Sequence, residues 1–421
     1  MKSLEEHIKE ALKCVRCGAC KSVCPSFDVR RREPSSPRGR VALIEASLKG
    51  EEGLGGMYVG HIKECTLCGS CLNNCPNGVD VPGLVMAARA EHVRREGLSP
   101  VASFALRNML SSDRFMPWAL KLASKLQGLF LKSSSVENGL VSRFSLPFIG
   151  GGRLLPELAG VFFMDRRHVR ALSEAKGDSS KPRIGFFVGC GVNYLLPDIG
   201  ESTVRVLNEA GAEVVVPSGQ VCCGMPALST GDVKTARSLA LKNLEAFEQG
   251  EYDYIVTSCA TCGHGLKNIF RELLSDEEDG MSARVERFSS RVKDITELLE
   301  GILSYKGRAG EGSGDRVVTY HDPCHLRKYQ GISEEPRLLL EKTGLRFKGM
   351  KNPCKCCGLG GGLAFSNYEL SMEIARKKAE GVRGCGADIV ATACPGCIIQ
   401  LKDALHRYGV RAKVVHVVEL L

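Results

Sequence analysis

Apolar residues recur at helical spacing through the early part of the chain, and at the intervals of alternating strands and helices from residue 181 onward. PRGRVALIEASLKG, residues 37–50, places Val41, Leu43, Ile44 and Leu48 in a stripe that opens after proline and stops at glycine, which predicts a helix. Val81–Arg95 repeats the pattern, with Leu84, Val85, Ala88 and His92 on one side and arginines on the other. In FMPWALKLASKLQGLFLK, residues 115–132, Trp118, Leu122, Leu126 and Leu129 share a face opposite Lys121, Lys125 and Lys132. This basic amphipathic helix is expected to pack on the rest of the chain; the same pattern also suits a membrane surface or a partner. Ser133, Ser134 and Ser135 and the tract Gly150, Gly151, Gly152 read as loop.

Farther on, β-rich runs at Ile184–Val188, Glu213–Val216 and Tyr254–Thr257 alternate with helical ones near Glu201–Glu209 and Val233–Phe247. The rhythm returns with strands Val317–Tyr320 and Ile389–Thr392 and helices near Pro336–Lys342 and Glu369–Glu380. It predicts α/β units with parallel strands.

Charge and hydropathy then exclude several classes. The net charge is +9, but the basic cluster Arg30, Arg31, Arg32, Arg38 and Arg40 has no interleaved aromatics to stack on bases. It is expected to be a solvated or partner-facing surface, with no nucleic acid as partner. No run approaches the roughly 18 uncharged apolar residues of a membrane span; those around Leu158–Met164 and Gly185–Val188 are interrupted by charge. The opening MKSLEEHIKE lacks the apolar core of a secretory signal, so a cytoplasmic location without disulfides is expected. No GxGxxG opens a helix after a strand, and Gly358–Gly362 (GLGGG) follows a cysteine pair instead. No dinucleotide-binding residues are therefore expected, and any flavin belongs to a separate polypeptide.

The 20 cysteines carry the chemistry. Cys14, Cys17, Cys20 and Cys24 before Pro25, and Cys65, Cys68, Cys71 and Cys75 before Pro76, both spell C-x2-C-x2-C-x3-C-P, the bacterial ferredoxin run. Three closely spaced thiolates wrap one iron-sulfur cluster while the fourth reaches the other, so the expected ligand sets are crossed. The first is Cys14, Cys17, Cys20 and Cys75; the second is Cys65, Cys68, Cys71 and Cys24. The 40-residue insert between the runs points to an all-helical two-cluster module over residues 1–98.

The remaining pattern is an internal repeat. Cys190 is followed after 31 residues by Cys222-Cys223 and after 35 more by Cys259-x2-Cys262. Cys324 is followed after 31 by Cys356-Cys357 and after 36 by Cys394-x2-Cys397. The copies superpose at an offset of 134 to 135, which argues for a duplicated domain holding five thiolates at the carboxyl ends of its strands. Five thiolates exceed the needs of one cubane cluster or one tetrahedral zinc. His321 and His325 flank Cys324 as candidate catalytic proton donors to a leaving thiolate, or as groups that orient the cysteine loop. Cys354 and Cys385 have no counterpart in the first repeat and receive no ligand role.

This constellation resembles the cysteine-rich CCG domain of heterodisulfide reductase catalytic subunits and of the iron-sulfur subunits of glycolate oxidase, D-lactate dehydrogenase and anaerobic glycerol-3-phosphate dehydrogenase. The order, ferredoxin module then two CCG domains, is similar to the glycolate oxidase iron-sulfur subunit and to the D-type polypeptide of heterodisulfide reductase over nearly the whole chain. SPRGR (Ser36–Arg40), HDPCHL (His321–Leu326) and CPGCIIQL (Cys394–Leu401) share the likeness. The expected fold is α+β multidomain: an α-helical ferredoxin module with two 4Fe-4S clusters (1–98), a helical linker or partner-binding region (99–180), and duplicated α/β CCG domains at 181–310 and 311–421. One or two further 4Fe-4S clusters, of noncubane type, are implied there. The resemblance implies an electron-transfer subunit that takes electrons from an FAD-linked dehydrogenase of D-lactate or glycolate. They would pass to a further redox partner or a membrane-bound quinone-linked subunit, placing the chain peripherally at the inner face of the membrane. Both five-cysteine sets are complete, unlike those of many glycolate oxidase subunits, so the alternative is a heterodisulfide reductase-like catalytic subunit. The stretch from HDPCHL to CPGCIIQL looks more like the hydroxyacid-oxidase branch.

Overall fold

The computed structural model describes residues 4, 6–50, 55–109, 115–134, 136, 139–143, 152–172, 180–275, 280–307 and 315–421. The N-terminal region is helical, with Pro37–Leu48, Gly55–Lys63 and Val81–Glu96 as its long helices. Ser36 caps the first of these by accepting the Gly39 amide, and Pro37 fixes φ at the first helical position. Asp80 caps Val81–Glu96 through Gly83, and Gly97 ends it at φ +78°. Val41, Ile44, Leu84, Val85 and Ala88 close the core between these helices, as their spacing predicts. Each large aliphatic side chain buried there contributes about 1.5–3 kcal/mol.

Phe115–Phe130 is helical but faces opposite to expectation. Ser124 and Gln127 point inward: Ser124 donates to the Ala159 carbonyl and Gln127 to that of Leu158, each at 3.0 Å, and Gln127 accepts the Leu158 amide. These bonds satisfy a backbone strap that apolar side chains would leave unpaired. The stripe is left outside, with Trp118, Leu122, Leu126 and Leu129 exposed by 60, 45, 42 and 65%. The chain then makes a small antiparallel sheet of β1 (Leu131–Ser133), β2 (Gly139–Ser142) and β3 (Leu155–Pro156), where the pattern reads loop. Ser135, Gly150 and Gly151 lie outside the described residues.

Two parallel sheets follow. β4 (Arg183–Phe186), β5 (Glu213–Val215), β6 (Tyr254–Thr257) and β7 (Val292–Asp294) stand in the order β5-β4-β6-β7. β8 (Val317–Tyr320), β9 (Arg346–Phe347), β10 (Ile389–Thr392) and β11 (Lys413–His416) stand in the order β11-β10-β8-β9. Read from the matching edge the two orders are the same, so the duplication seen in the cysteines extends to topology. β7, β9 and β11 escape prediction because they are short and mix charged with apolar residues. The repeats share one core: Ile184, Phe186 and Leu299 pack in the same cluster as Val318, Tyr320, Leu401 and Val415. Among the described residues no helix is long and apolar enough to cross a membrane.

The sheets decide where the cysteines stand. Cys190, Cys259, Cys324 and Cys394 begin the turns after β4, β6, β8 and β10, and the pairs Cys222-Cys223 and Cys356-Cys357 follow β5 and β9. All ten therefore gather at carboxyl ends of parallel strands, where open α/β sheets form their sites.

Candidate metal centres

Both N-terminal runs wind through left-handed residues, Arg16 (φ +55°) and Gly18 (+84°) in the first and Leu67 (+53°) and Gly69 (+71°) in the second. Cys71 and Cys75 line a small cavity together with Cys14, Cys17 and Cys20 of the first run. Cys24 lies instead against Arg40, whose Nη1 stands 3.9 Å from its Sγ and which also feels Cys65. Arg40 departs from the expectation of a solvated arginine cluster. It is 1% exposed, donating to the His61 carbonyl at 2.8 Å and the Ser26 hydroxyl at 2.9 Å. Burial works against its charge, and Cys65 and Cys24 more than offset it. Arg38 is also engaged, donating to Glu33 at 2.6 Å and holding that carboxyl down at about 2.

The second repeat touches this module directly. The Cys68 thiol is close enough to Cys356 to be raised by it, and Cys356 in turn meets Cys324 and Cys357. Cys357 and Cys397 are 3.5 Å apart, sulfur to sulfur, and Cys397 meets Cys394. Lys328 bonds Ser70, and Tyr329 donates to the Leu67 carbonyl at 3.0 Å. Burial lowers the Lys328 ammonium, but Cys68, Cys324 and Cys356 outweigh it and hold the charge in place.

The first repeat then joins the second through sulfur. The thiols of Cys259 and Cys394 interact, the first raised and the second lowered by the other, while the Ala260 amide donates to the Ala393 carbonyl at 3.1 Å. Cys259 and Cys262 continue to Cys223, and Cys222 lies 3.9 Å from Cys190. Neighbouring thiols favour the thiolate at several members of each set: Cys222 and Cys262 push Cys223 well below the usual thiol range, Cys356 and Cys397 do the same for Cys357, and Cys259 and Cys397 for Cys394. A cavity of about 190 Å³ opens onto Cys190 and Cys222, walled by Met116, Phe162, Asn193, Tyr194 and Gln220. The thiol sets thus run in one series from exposed Cys17 to that cavity. All twenty cysteines are free, and each set offers sulfur in the number and spacing that iron-sulfur clusters use.

The two histidines part company. His325 sits at the junction, its Nδ1 3.0 Å from the Thr261 hydroxyl and its ring stacked on His264 at 5.2 Å. His321 is fully buried beside Cys357 and Cys397, with no hydrogen bond to either ring nitrogen. Cys385 donates to the Val382 carbonyl and packs in the shared core, and Cys354 is half-buried.

Residues 10–79 match the 4Fe-4S dicluster domain, and residues 184–267 and 318–402 each match the Cysteine-rich domain, CCG. The probable glycolate oxidase iron-sulfur subunit of Bacillus subtilis is 30% identical over 100% of this chain and 97% of its own length. The chain belongs to the CCG-domain iron-sulfur subunit family. One polypeptide of the CoM/CoB fumarate reductase of Methanothermobacter marburgensis is 32% identical, covering 97% of this chain and 71% of itself. One polypeptide of the dihydromethanophenazine:CoB–CoM heterodisulfide reductase of Methanosarcina acetivorans is 26% identical, covering 93% and 88%. Membership brings two 4Fe-4S clusters in the N-terminal module and further 4Fe-4S chemistry in the CCG domains, and the chain is an iron-sulfur subunit of the oxidoreductase class.

Sequence reasoning about this CCG-domain protein misses the residues that join its modules. Arg89, almost wholly buried, donates to carbonyls of Ile62 and Cys65 in the N-terminal module, Ser229 in the first repeat and Gly361 in the second, and burial pushes it down to about 10. On its helix it reads as one of several outward arginines. The GLGGG run does carry a signal: a Cβ on Gly360 or Gly361 would lie 2.4 Å from the Thr66 carbonyl oxygen or 2.2 Å from that of Cys65. Those glycines mark a close approach of two backbones.

Proposed function

We propose that this chain is the electron-carrying iron-sulfur subunit of a complex that oxidises a 2-hydroxyacid such as D-lactate or glycolate. A separate FAD-linked dehydrogenase subunit would oxidise the acid, and this chain would deliver the electrons to a further redox partner or a membrane-bound quinone-linked subunit. The observation that carries the reading is the unbroken series of four thiol sets from one surface to a recessed cavity. Iron-sulfur clusters supply one-electron transfer when bound. The residues that would hold them are Cys14, Cys17, Cys20 and Cys75; Cys65, Cys68, Cys71 and Cys24; Cys324, Cys356, Cys357, Cys394 and Cys397; and Cys190, Cys222, Cys223, Cys259 and Cys262. The chain's own work is to keep these sets adjacent and shielded from water. Limits at 98, 180 and 310 divide it accordingly. The outward apolar face of Phe115–Phe130 would receive the dehydrogenase, since Met116 and Pro117 of the same helix also wall the cavity at Cys190 and Cys222. Mixing the anaerobically purified chain with a D-lactate- or glycolate-oxidising flavoprotein should raise hydroxyacid-dependent dye reduction well above that of the flavoprotein alone. Equal rates with and without this chain would overturn the reading.

One observation favours a second reading, disulfide reduction at the CCG sites: both five-cysteine sets are complete and touch at Cys259 and Cys394. It expects reduced viologen to be consumed by the chain alone when a thiol heterodisulfide is added, and no consumption would remove it.

A further inference from the structure

Duplication makes the two five-cysteine sites alike in their thiols, while several positions around them differ, and one difference stands out. Three residues before the leading cysteine the first repeat has Phe187 and the second has His321, at the same offset of 134 that relates Cys190 to Cys324. Phe187 is an ordinary core side chain, packed against Phe247 with ring centroids 6.0 Å apart. His321 is equally buried, at 0% exposure, yet neither Nδ1 nor Nε2 has a hydrogen-bond partner. A ring nitrogen of His321 and the Sγ atoms of Cys357 and Cys397 all lie within 4.8 Å of one another. The charged neighbours are committed elsewhere: Lys378 donates to the carbonyls of Asn352 and Pro353, and Asp322 pairs with Arg337.

A buried polar group without a partner costs about 1–3 kcal/mol, which a phenylalanine in the same place avoids. The histidine therefore calls for a partner that the polypeptide does not itself supply. We propose that His321 is a nitrogen ligand to the iron-sulfur cluster of the second repeat, beside Cys357 and Cys397. The second site then binds through sulfur and nitrogen, and the first through sulfur alone. An imidazole added to the five thiolates changes the ligand set of that cluster, and ligand type is among the features that set a cluster's reduction potential. The duplicated sites are thereby unequal in ligand set and in potential. This inference rests on iron occupying the CCG repeats.

The test uses the full chain, purified anaerobically and labelled with 15N-histidine. Pulsed EPR should show a directly bound histidine nitrogen on one paramagnetic centre. In His321→Phe, which copies the first repeat, that coupling should vanish and the midpoint potential of the centre should shift. His321→Cys, which offers sulfur in place of nitrogen, should lose the coupling while keeping the iron. The proposal is overturned if the wild type shows no histidine coupling, or one no larger than amides donating to sulfur produce. A coupling that survives both substitutions, or a potential that neither moves, overturns it as well. Iron missing from the CCG repeats of the wild type would sink the functional reading too, whereas iron present without bound nitrogen sinks this inference alone.

Discussion

Arg40 shows how much a single residue's surroundings decide. On the sequence it is one basic residue among five; in the fold it is a buried cation within reach of Cys24 and Cys65. A positive charge at that distance stabilises the more negative, reduced form of whatever those thiolates bind. Arg40→Met, which keeps the length and removes the charge, should lower the midpoint potential of one N-terminal centre and leave the other in place, as read by an EPR-monitored redox titration. A potential unchanged at both would show that the guanidinium serves packing only. The sequence offered no signal for this role, because burial depends on how His61 and Ser26 close around the side chain.

At the level of elements, caps and faces carry consequences that composition hides. Asp294 ends β7 and caps Ile295–Gly301 in a capping box with Glu297, and burial pushes its carboxyl from 3.8 up to about 7. The folded state therefore holds a proton that the unfolded chain releases, so this stability is full below about pH 4 and is lost as pH rises towards 7. Asp294→Asn keeps a good cap without the titration, and its melting temperature should fall less over that interval than the wild type's. A different consequence attaches to Phe115–Phe130. Leu122→Asp lies on an outward face 45% exposed at that residue, so melting temperature and iron content should stay near wild type. Coupling to the flavoprotein should drop at least about tenfold, the effect of losing roughly 1.4 kcal/mol at an interface anchor. A full rate of coupled dye reduction would remove this helix from the docking surface. Its apolar spacing was legible in the sequence; the side it turns to solvent was not, because hydrogen bonds between Ser124 and Gln127 and a distant strap, two donated by the side chains and one accepted, set the orientation.

Across the whole molecule the decisive contacts are between modules. Gly361, at φ +64°, lies where a Cβ would meet the Cys65 carbonyl oxygen at 2.2 Å. Gly361→Ala should push the N-terminal module off the second repeat while the four sites keep about sixteen irons per chain, four for each cluster. Viologen-reduced N-terminal centres should then re-oxidise slowly against a CCG-site acceptor, a separation visible by freeze-quench EPR; wild-type kinetics would show that the glycine contact does not control the distance. The cysteine spacing by itself determined that there are two ferredoxin-type runs and two copies of a five-thiol set on α/β units, because ligand geometry ties chemistry to separations along the chain. Only the tertiary structure decided that these sets touch in one series, that Arg40 is buried beside one of them, that Arg89 and Lys328 lie between modules, and that the repeats share a core. Such contacts join residues hundreds of positions apart, and they form where surfaces of matching shape exclude water, a property that no local pattern encodes.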